Sequence, residues 1–138
     1  MATNLDFIED ALRDLNVIAE VDSASAEQGS FGMRKLNQIM EALKEMDVDF
    51  GWFAAAATGD ASPIPDWAEL GITSALSIAM APKYGASVSP ELVAVADSAM
   101  NMIKRKGISK KLGNTDMSHL PVGAGNRYRR RGNILTGI

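Results

Sequence analysis

The chain has 138 residues, enough for one domain with its own core and too few for two comfortable ones. Hydrophobic residues make up 46% and charged residues 22%, which is ordinary globular composition, and the lack of cysteine excludes a disulfide scaffold, a zinc–thiolate centre and a cysteine nucleophile. The net charge of -3 is a cancellation: residues 1–100 hold 16 acids and 5 bases (net -11), whereas residues 101–138 hold one acid, Asp116, and 9 bases (net +8).

An acidic body joined to a basic tail is the charge pattern of a binding segment. No apolar run reaches the ~18 residues of a spanning helix. The start of the chain lacks the basic region of a secretory signal. The expectation is a soluble protein made in a cytosol, with no membrane partner.

The first helical pattern runs from about Asn4 to Glu20, with Leu5, Ile8, Leu12 and Leu15 at three- and four-residue spacing. Thr3 and Asp6 have capping-box spacing. Asp6, Glu9 and Asp10 sit where the helix dipole favours negative charge. A second periodic segment carries Met33, Leu36, Ile39, Met40, Leu43 and Met46. Ser25 and Gln28 have capping-box spacing too, but Gly29 and Gly32 weaken a helix there.

Residues 47–65 read as irregular. Phe50, Trp52 and Phe53 gather around Gly51 as a short extended piece, and Pro63 and Pro65 stiffen the loop after them. A third helix is expected from an N-cap at Asp66, with Glu69 at N3, to a stop at Pro82. Between Trp67 and Ala81 the only charge is Glu69, so this helix should be the buried centre of the fold. The fourth helix starts at Ser89 as N-cap with Pro90 at the favoured first position. Ala96, Ala99 and Ile103 share one face with Leu92, joined by Val93, Val95 and Met100. Lys104, Arg105 and Lys106 suit the helix's negative end, and Gly107 is expected to cap it.

Periodicity stops at Ile108. Glycine, asparagine and arginine then dominate, with Leu120, Val122, Tyr128, Ile134, Leu135 and Ile138 scattered among them. Such a segment cannot bury itself as a core element. The residues therefore predict an all-α fold: a small bundle of about four helices, a body over 1–106, and an extended basic C-terminal arm over 107–138.

No constellation for catalysis, metal or cofactor emerges. His119, the single histidine, lies in the arm and reads as solvated or partner-contacting. Asp47 and Asp49 share no helix face and read as structural rather than as a glycoside-hydrolysis pair. Gly123-Ala124-Gly125-Asn126 lacks the strand, helix and later glycine of a nucleotide-binding loop. Arg127-Tyr128-Arg129-Arg130-Arg131 is the most loaded motif. Phosphate binding, bidentate carboxylate pairing and plain solvation are all open to it on composition alone. The methionines at helical spacing read as core filling, with Met33, Met40, Met46, Met80 and Met100 the examples.

Three stretches in register carry a family likeness. They are Ala11-Leu12-Arg13-Asp14-Leu15-Asn16-Val17; Leu76 to Gly85, with Ala81-Pro82-Lys83-Tyr84 and the alanine-bearing helix after Pro90; and Leu120-Pro121-Val122-Gly123-Ala124-Gly125-Asn126. With these the chain resembles the head-to-tail adaptor proteins of tailed bacteriophages, also called packaged-DNA stabilisation proteins or tail accessory factors of short-tailed phages. Asn16 stands where glycine is usual in that family, and the arginine-rich segment after Asn126 is a departure.

The resemblance implies a non-enzymatic virion part at the head–tail junction (the neck), assembled in the host cytoplasm. Such proteins form a ring, typically of twelve copies, beneath the portal protein. The ring extends the DNA channel, helps retain the packaged genome and receives the tail nozzle or tube protein, and the C-terminal arm docks on the portal. On this reading Pro121, Gly123, Gly125, Asn126, Arg127, Tyr128, Arg129, Arg130 and Arg131 are portal contacts. DNA passes through without sequence-specific contact, along walls to which the acidic body contributes. Two alternatives remain: a DNA-binding protein using the arm, and a peptidoglycan hydrolase, an activity attributed within the family.

Overall fold

The structure is a computed structural model that describes residues 2–54 and 56–112. It holds four helices in chain order: α1 (Asn4–Asp14), α2 (Ala26–Glu45), α3 (Asp66–Tyr84) and α4 (Pro90–Leu112). The fold is the expected small all-α bundle. Among the described residues no helix is long and apolar enough to cross a membrane.

Both capping boxes form. Thr3 Oγ1 accepts from the Asp6 amide at 3.3 Å, and the Thr3 amide donates to Asp6 Oδ2 at 2.7 Å. These bonds hold the Asp6 carboxyl below the usual aspartate range. Ser25 and Gln28 make the same reciprocal pair at 3.3 and 2.8 Å, so α2 starts at Ala26 despite its glycines. Gly32 has a reason to be there: a Cβ on it would lie 2.6 Å from Ile8 Cγ2, so the bare backbone is what lets α2 approach α1.

Helix α1 stops at Asp14, not near Glu20. Asn16 takes a left-handed backbone, with φ of 54°, and the chain turns there. Val17 and Ile18 continue the apolar pattern from outside the helix, packing half-buried on the core. Helix α3 also departs from expectation at both ends. Pro65 holds the N-cap position with no side-chain bond, and Asp66 is already in the first turn. Pro82 lies inside the last turn, where its missing N–H leaves only one carbonyl of the helix without its partner. The stop is Gly85, left-handed at φ of 61°, whose amide reaches Ala81 O.

The start of α4 is as expected, with Ser89 Oγ accepting from the Leu92 amide at 3.1 Å. Its end is not. Gly107 does not cap the helix; α4 runs through it to Leu112. A Cβ at Gly107 would come 2.6 Å from Val48 Cγ2, so this glycine lets the helix lie against the loop that follows α2.

Helix α3 is the centre, packing on α1, α2 and α4. Ile8, Leu12, Leu36, Leu43, Ile72, Leu76, Met80 and Ile103 fill the core. Leu70 breaks the all-round burial expected of α3, being 62% exposed. Of the methionines, Met33, Met40 and Met80 are buried and Met100 is partly buried, whereas Met46 stands in solvent.

The 47–65 connection is irregular but anchored. Asp60 O and Thr58 O accept from the Asn4 and Leu5 amides at 3.0 and 2.8 Å, supplying partners to free donors at the start of α1. Asn4 Nδ2 donates to Ala57 O at 2.9 Å, and Thr3 and Ala61 form an isolated antiparallel bridge.

Candidate functional site

The C-terminal end of α4 is the described surface nearest to the basic segment, so its geometry frames how that segment is presented. Lys106 Nζ lies 4.0 Å from the ring centroid of Trp67, at the start of α3. Trp67 in turn meets Phe50 edge to face, with centroids 5.8 Å apart. Gly107 seals on Val48. Together these residues wall an open cleft of about 1070 Å³, with Asp47, Asp49, Pro63, Pro65 and Ser109 completing it.

The stack has a clear physical basis. Phe50 and Trp67 are half-buried against the core. The Trp67 ring face, negative by its quadrupole, is left for a cation, and Lys106 supplies one. The basic end of α4 is thereby pinned to the body instead of fraying away from it.

The neighbouring aromatics divide their labour. Trp52 Nε1 donates to Asn37 Oδ1 at 2.8 Å, and Asn37 Nδ2 donates to Ala54 O at 3.3 Å, tying the loop to α2. Phe53 does neither and is 76% exposed. The aromatic loop thus faces both ways, core through Phe50 and Trp52, solvent through Phe53.

A second cation–aromatic cluster sits at the other end of α3. Phe31 and Tyr84 meet edge to face at 6.2 Å. Lys83 Nζ is 4.2 Å from the Phe31 centroid, with Arg34 and Lys35 each at 5.7 Å. Three of the five bases of residues 1–100 therefore gather on one ring, and Lys83 lies about 24 Å along α3 from Trp67.

The carboxylates singled out in the sequence have local duties. Asp49 Oδ1 accepts from the Gly51 amide at 2.7 Å, an Asx turn that holds Gly51 at φ of 74°. Asp47 is the left-handed residue that ends the α2 turn, with φ of 64°. Glu69 lines a different groove, with Asp6, Asp10 and Asp14. The three acids are therefore not brought to one centre. Among the described residues no group of three acids or histidines is placed to hold a metal ion.

His119 and the nine expected contact residues Pro121, Gly123, Gly125, Asn126, Arg127, Tyr128, Arg129, Arg130 and Arg131 lie outside the described residues. What the sequence reading missed is the Lys106–Trp67–Phe50 stack. Lys106 reads as a helix-end charge and Trp67 as one more apolar residue. Only the pairing of a basic helix end with an aromatic at the head of the preceding helix signals it.

The profile of the P22 tail accessory factor family matches residues 1–134. No curated protein matches the chain. The profile spans the helical body and most of the basic segment, as do the three stretches that carry the likeness in the sequence. The chain thus belongs to the P22 tail accessory factor family and is a structural component of a phage virion.

Proposed function

We propose that this protein is a non-enzymatic ring connector at the head–tail junction, seated beneath the portal and prolonging the DNA channel toward the tail. The helical body builds the ring, and the basic segment after α4 docks on the portal. The family match over residues 1–134 carries the reading.

The charge pattern supports the division of roles. The basic end of the chain, residues 101–138 with net +8, is steered toward an acidic protein surface, and residues 1–100 form an acidic body of net -11. Arginine, with its planar fork, pairs bidentately with carboxylates, and Tyr128 adds an amphipathic anchor among them. The same acidic body is a poor surface for duplex DNA to adhere to, which suits a channel wall and disfavours the DNA-binding alternative. The structural duties of Asp47 and Asp49, and the distance of Glu69 from them in the fold, give the hydrolase alternative no support.

The experiment is the mass of the purified full chain alone and mixed with portal protein, read by light scattering. A chain that gains a closed multi-subunit ring on portal supports the proposal. A chain that ignores portal and instead shifts duplex DNA, with a salt slope that tracks its arginines, overturns it.

A further inference from the structure

Residues 1–100 hold 16 acids and 5 bases, so the expected neighbour of a base there is an acid. Arg34, Lys35 and Lys83 are placed otherwise. All three charges stand over the Phe31 ring, none farther than 5.7 Å from its centroid. No two of them are therefore farther apart than twice that distance, close enough to repel.

The ring that collects them is held by the fold. Phe31 and Tyr84 meet edge to face, both half-buried against the core. Arg34 and Lys35 follow Phe31 at i+3 and i+4 on α2, the spacings that share a helix face. Lys83 comes from the last turn of α3 and lies within 5.6 Å of the Tyr84 centroid as well. Acid is scarce at this spot. Glu27 Oε1 lies 3.4 Å from Lys83 Nζ, and Glu27 is itself 85% exposed. Among the described residues Arg34 and Lys35 make no ion pair. Like charges gathered on one fixed platform and left so poorly balanced are suited to oxyanions from outside.

The surroundings favour one carrier of those oxyanions. Duplex DNA bears a charge every ~1.7 Å of its axis, so a duplex set on this small patch extends well beyond it. Beyond it on α2 stand exposed Glu27 on one side and exposed Glu41 and Glu45 on the other, which repel phosphate. A folded protein surface, by contrast, presents two or three carboxylates on otherwise neutral ground. The Arg34 guanidinium offers such a carboxylate its planar fork, and the two ammonium groups accept the others. We propose that Arg34, Lys35 and Lys83 form a docking patch for a group of carboxylates on another protein of the virion. The cation–aromatic contacts hold the three side chains in place beforehand, so less freedom is lost on docking. The proposal rests on membership of the family and not on the ring or on portal docking.

The test compares intact virions with the isolated full chain. A water-soluble carbodiimide joins lysine amines to carboxylates in direct contact, and mass spectrometry of the peptides identifies each pair. In the isolated chain the expected product is Lys83 joined to Glu27. In virions Lys35 and Lys83 should instead join to aspartate or glutamate of a different virion protein, and both amines should acetylate at least fivefold more slowly than in the isolated chain. None of the three bases is a core residue, so R34E/K35E/K83E should keep the circular dichroism of wild type while entering virions at least tenfold less. Amines that react alike in virions and in the isolated chain overturn the proposal. So does protection that disappears from particles emptied of DNA, which marks phosphate as the occupant. Coupling to the acids of a second copy of this chain overturns it too, since it marks a contact within a ring. None of these outcomes touches the portal reading, which stands or falls on the mass of the chain mixed with portal.

Discussion

Gly71 of α3 and Ile103 of α4 meet so closely that no side chain fits between them. A Cβ built on Gly71 would lie 2.7 Å from Ile103 Cδ1 and 3.2 Å from Ala99 Cβ. Ile103 is fully buried, so its tip has little room to retreat. Gly71→Ala gains about 1 kcal/mol of helix propensity and is set against an overpacking cost of about 1–3 kcal/mol. The expected net effect is a lower melting temperature, with α4 loosened on α3. Gly107→Ala meets Val48 in the same way. Thermal unfolding followed at 222 nm checks both, and an unchanged or raised midpoint for Gly71→Ala contradicts the packing argument.

The Thr3–Asp6 box ties acid stability to one turn of α1. The carboxyl titrates below its ordinary range because the Thr3 amide and hydroxyl bond its charged form and turn, opposed only weakly by burial. A depressed folded value means that the contribution is complete above the unfolded pKa of about 4 and fades as pH falls through the lower folded value. Wild type should therefore exceed Asp6→Asn in stability at pH 7, and the gap should close below pH 4. Thr3→Ala should cost about 1 kcal/mol at neutral pH. Urea unfolding at pH 7 and pH 3 reads the difference, and a gap at pH 3 as wide as at pH 7 refutes the linkage.

These two contacts show what the sequence makes legible and what it does not. Capping boxes are local, with partners three residues apart, so Thr3–Asp6, Ser25–Gln28 and the Ser89–Pro90 start are readable from spacing. The helix count and the central place of α3 follow from composition and period. The ends of α1 and α3 are less legible. Val17 and Ile18 keep the apolar rhythm after the backbone has turned at Asn16, and Pro82 is tolerated because it falls in a last turn. The glycines are the sharpest case. Gly32 reads as a weak point in a helix and Gly107 as a cap, yet Gly32, Gly71 and Gly107 each mark a place where another element comes close. That information sits in the partner, Ile8, Ile103 or Val48, far away along the chain. The Lys106–Trp67–Phe50 stack is hidden for the same reason.

That stack should act as a latch on the end of α4. Lys106→Ala removes a cation–π contact at an exposed site, about 0.5–1 kcal/mol. Trp67→Ala removes more, though less than the roughly 3–5 kcal/mol of a fully buried aromatic, because Trp67 is only partly covered. Either change should speed amide exchange over residues 104–112 while leaving α1 and α2 protected. With two tryptophans in the chain, Trp52→Phe isolates Trp67 fluorescence, which should shift on Lys106→Ala. Exchange at the end of α4 unaltered by Trp67→Ala contradicts the latch.

The acids of the cleft should prove structural. Asp49→Asn keeps an acceptor for the Gly51 amide and should be nearly neutral, whereas Asp49→Ala loosens the 49–51 turn by about 1 kcal/mol. Purified protein should leave the turbidity of a peptidoglycan suspension unchanged, and Asp47→Asn, Asp49→Asn and Glu69→Gln should not alter that. Clearing by wild type that one of these single changes abolishes restores the hydrolase reading.

The basic segment should separate docking from folding. The described body ends with α4 at Leu112, and its core residues all lie before that point. A chain truncated after Leu112 should keep the helical signal and cooperative unfolding of the full protein while losing portal binding. Reversal of Arg127, Arg129, Arg130 and Arg131 to glutamate removes the fork donors and inverts the steering charge, and should weaken binding by at least a hundredfold. Lysine at the same four positions keeps the charge without the bidentate geometry. It should preserve the association rate and raise the dissociation rate, because long-range steering sets the first and desolvated pairing sets the second. Surface plasmon resonance against immobilised portal at two salt concentrations resolves the two rates. A lysine variant indistinguishable from wild type would mean that the four arginines serve as net charge alone, and undiminished binding by the truncated chain would move the docking surface into the helical body.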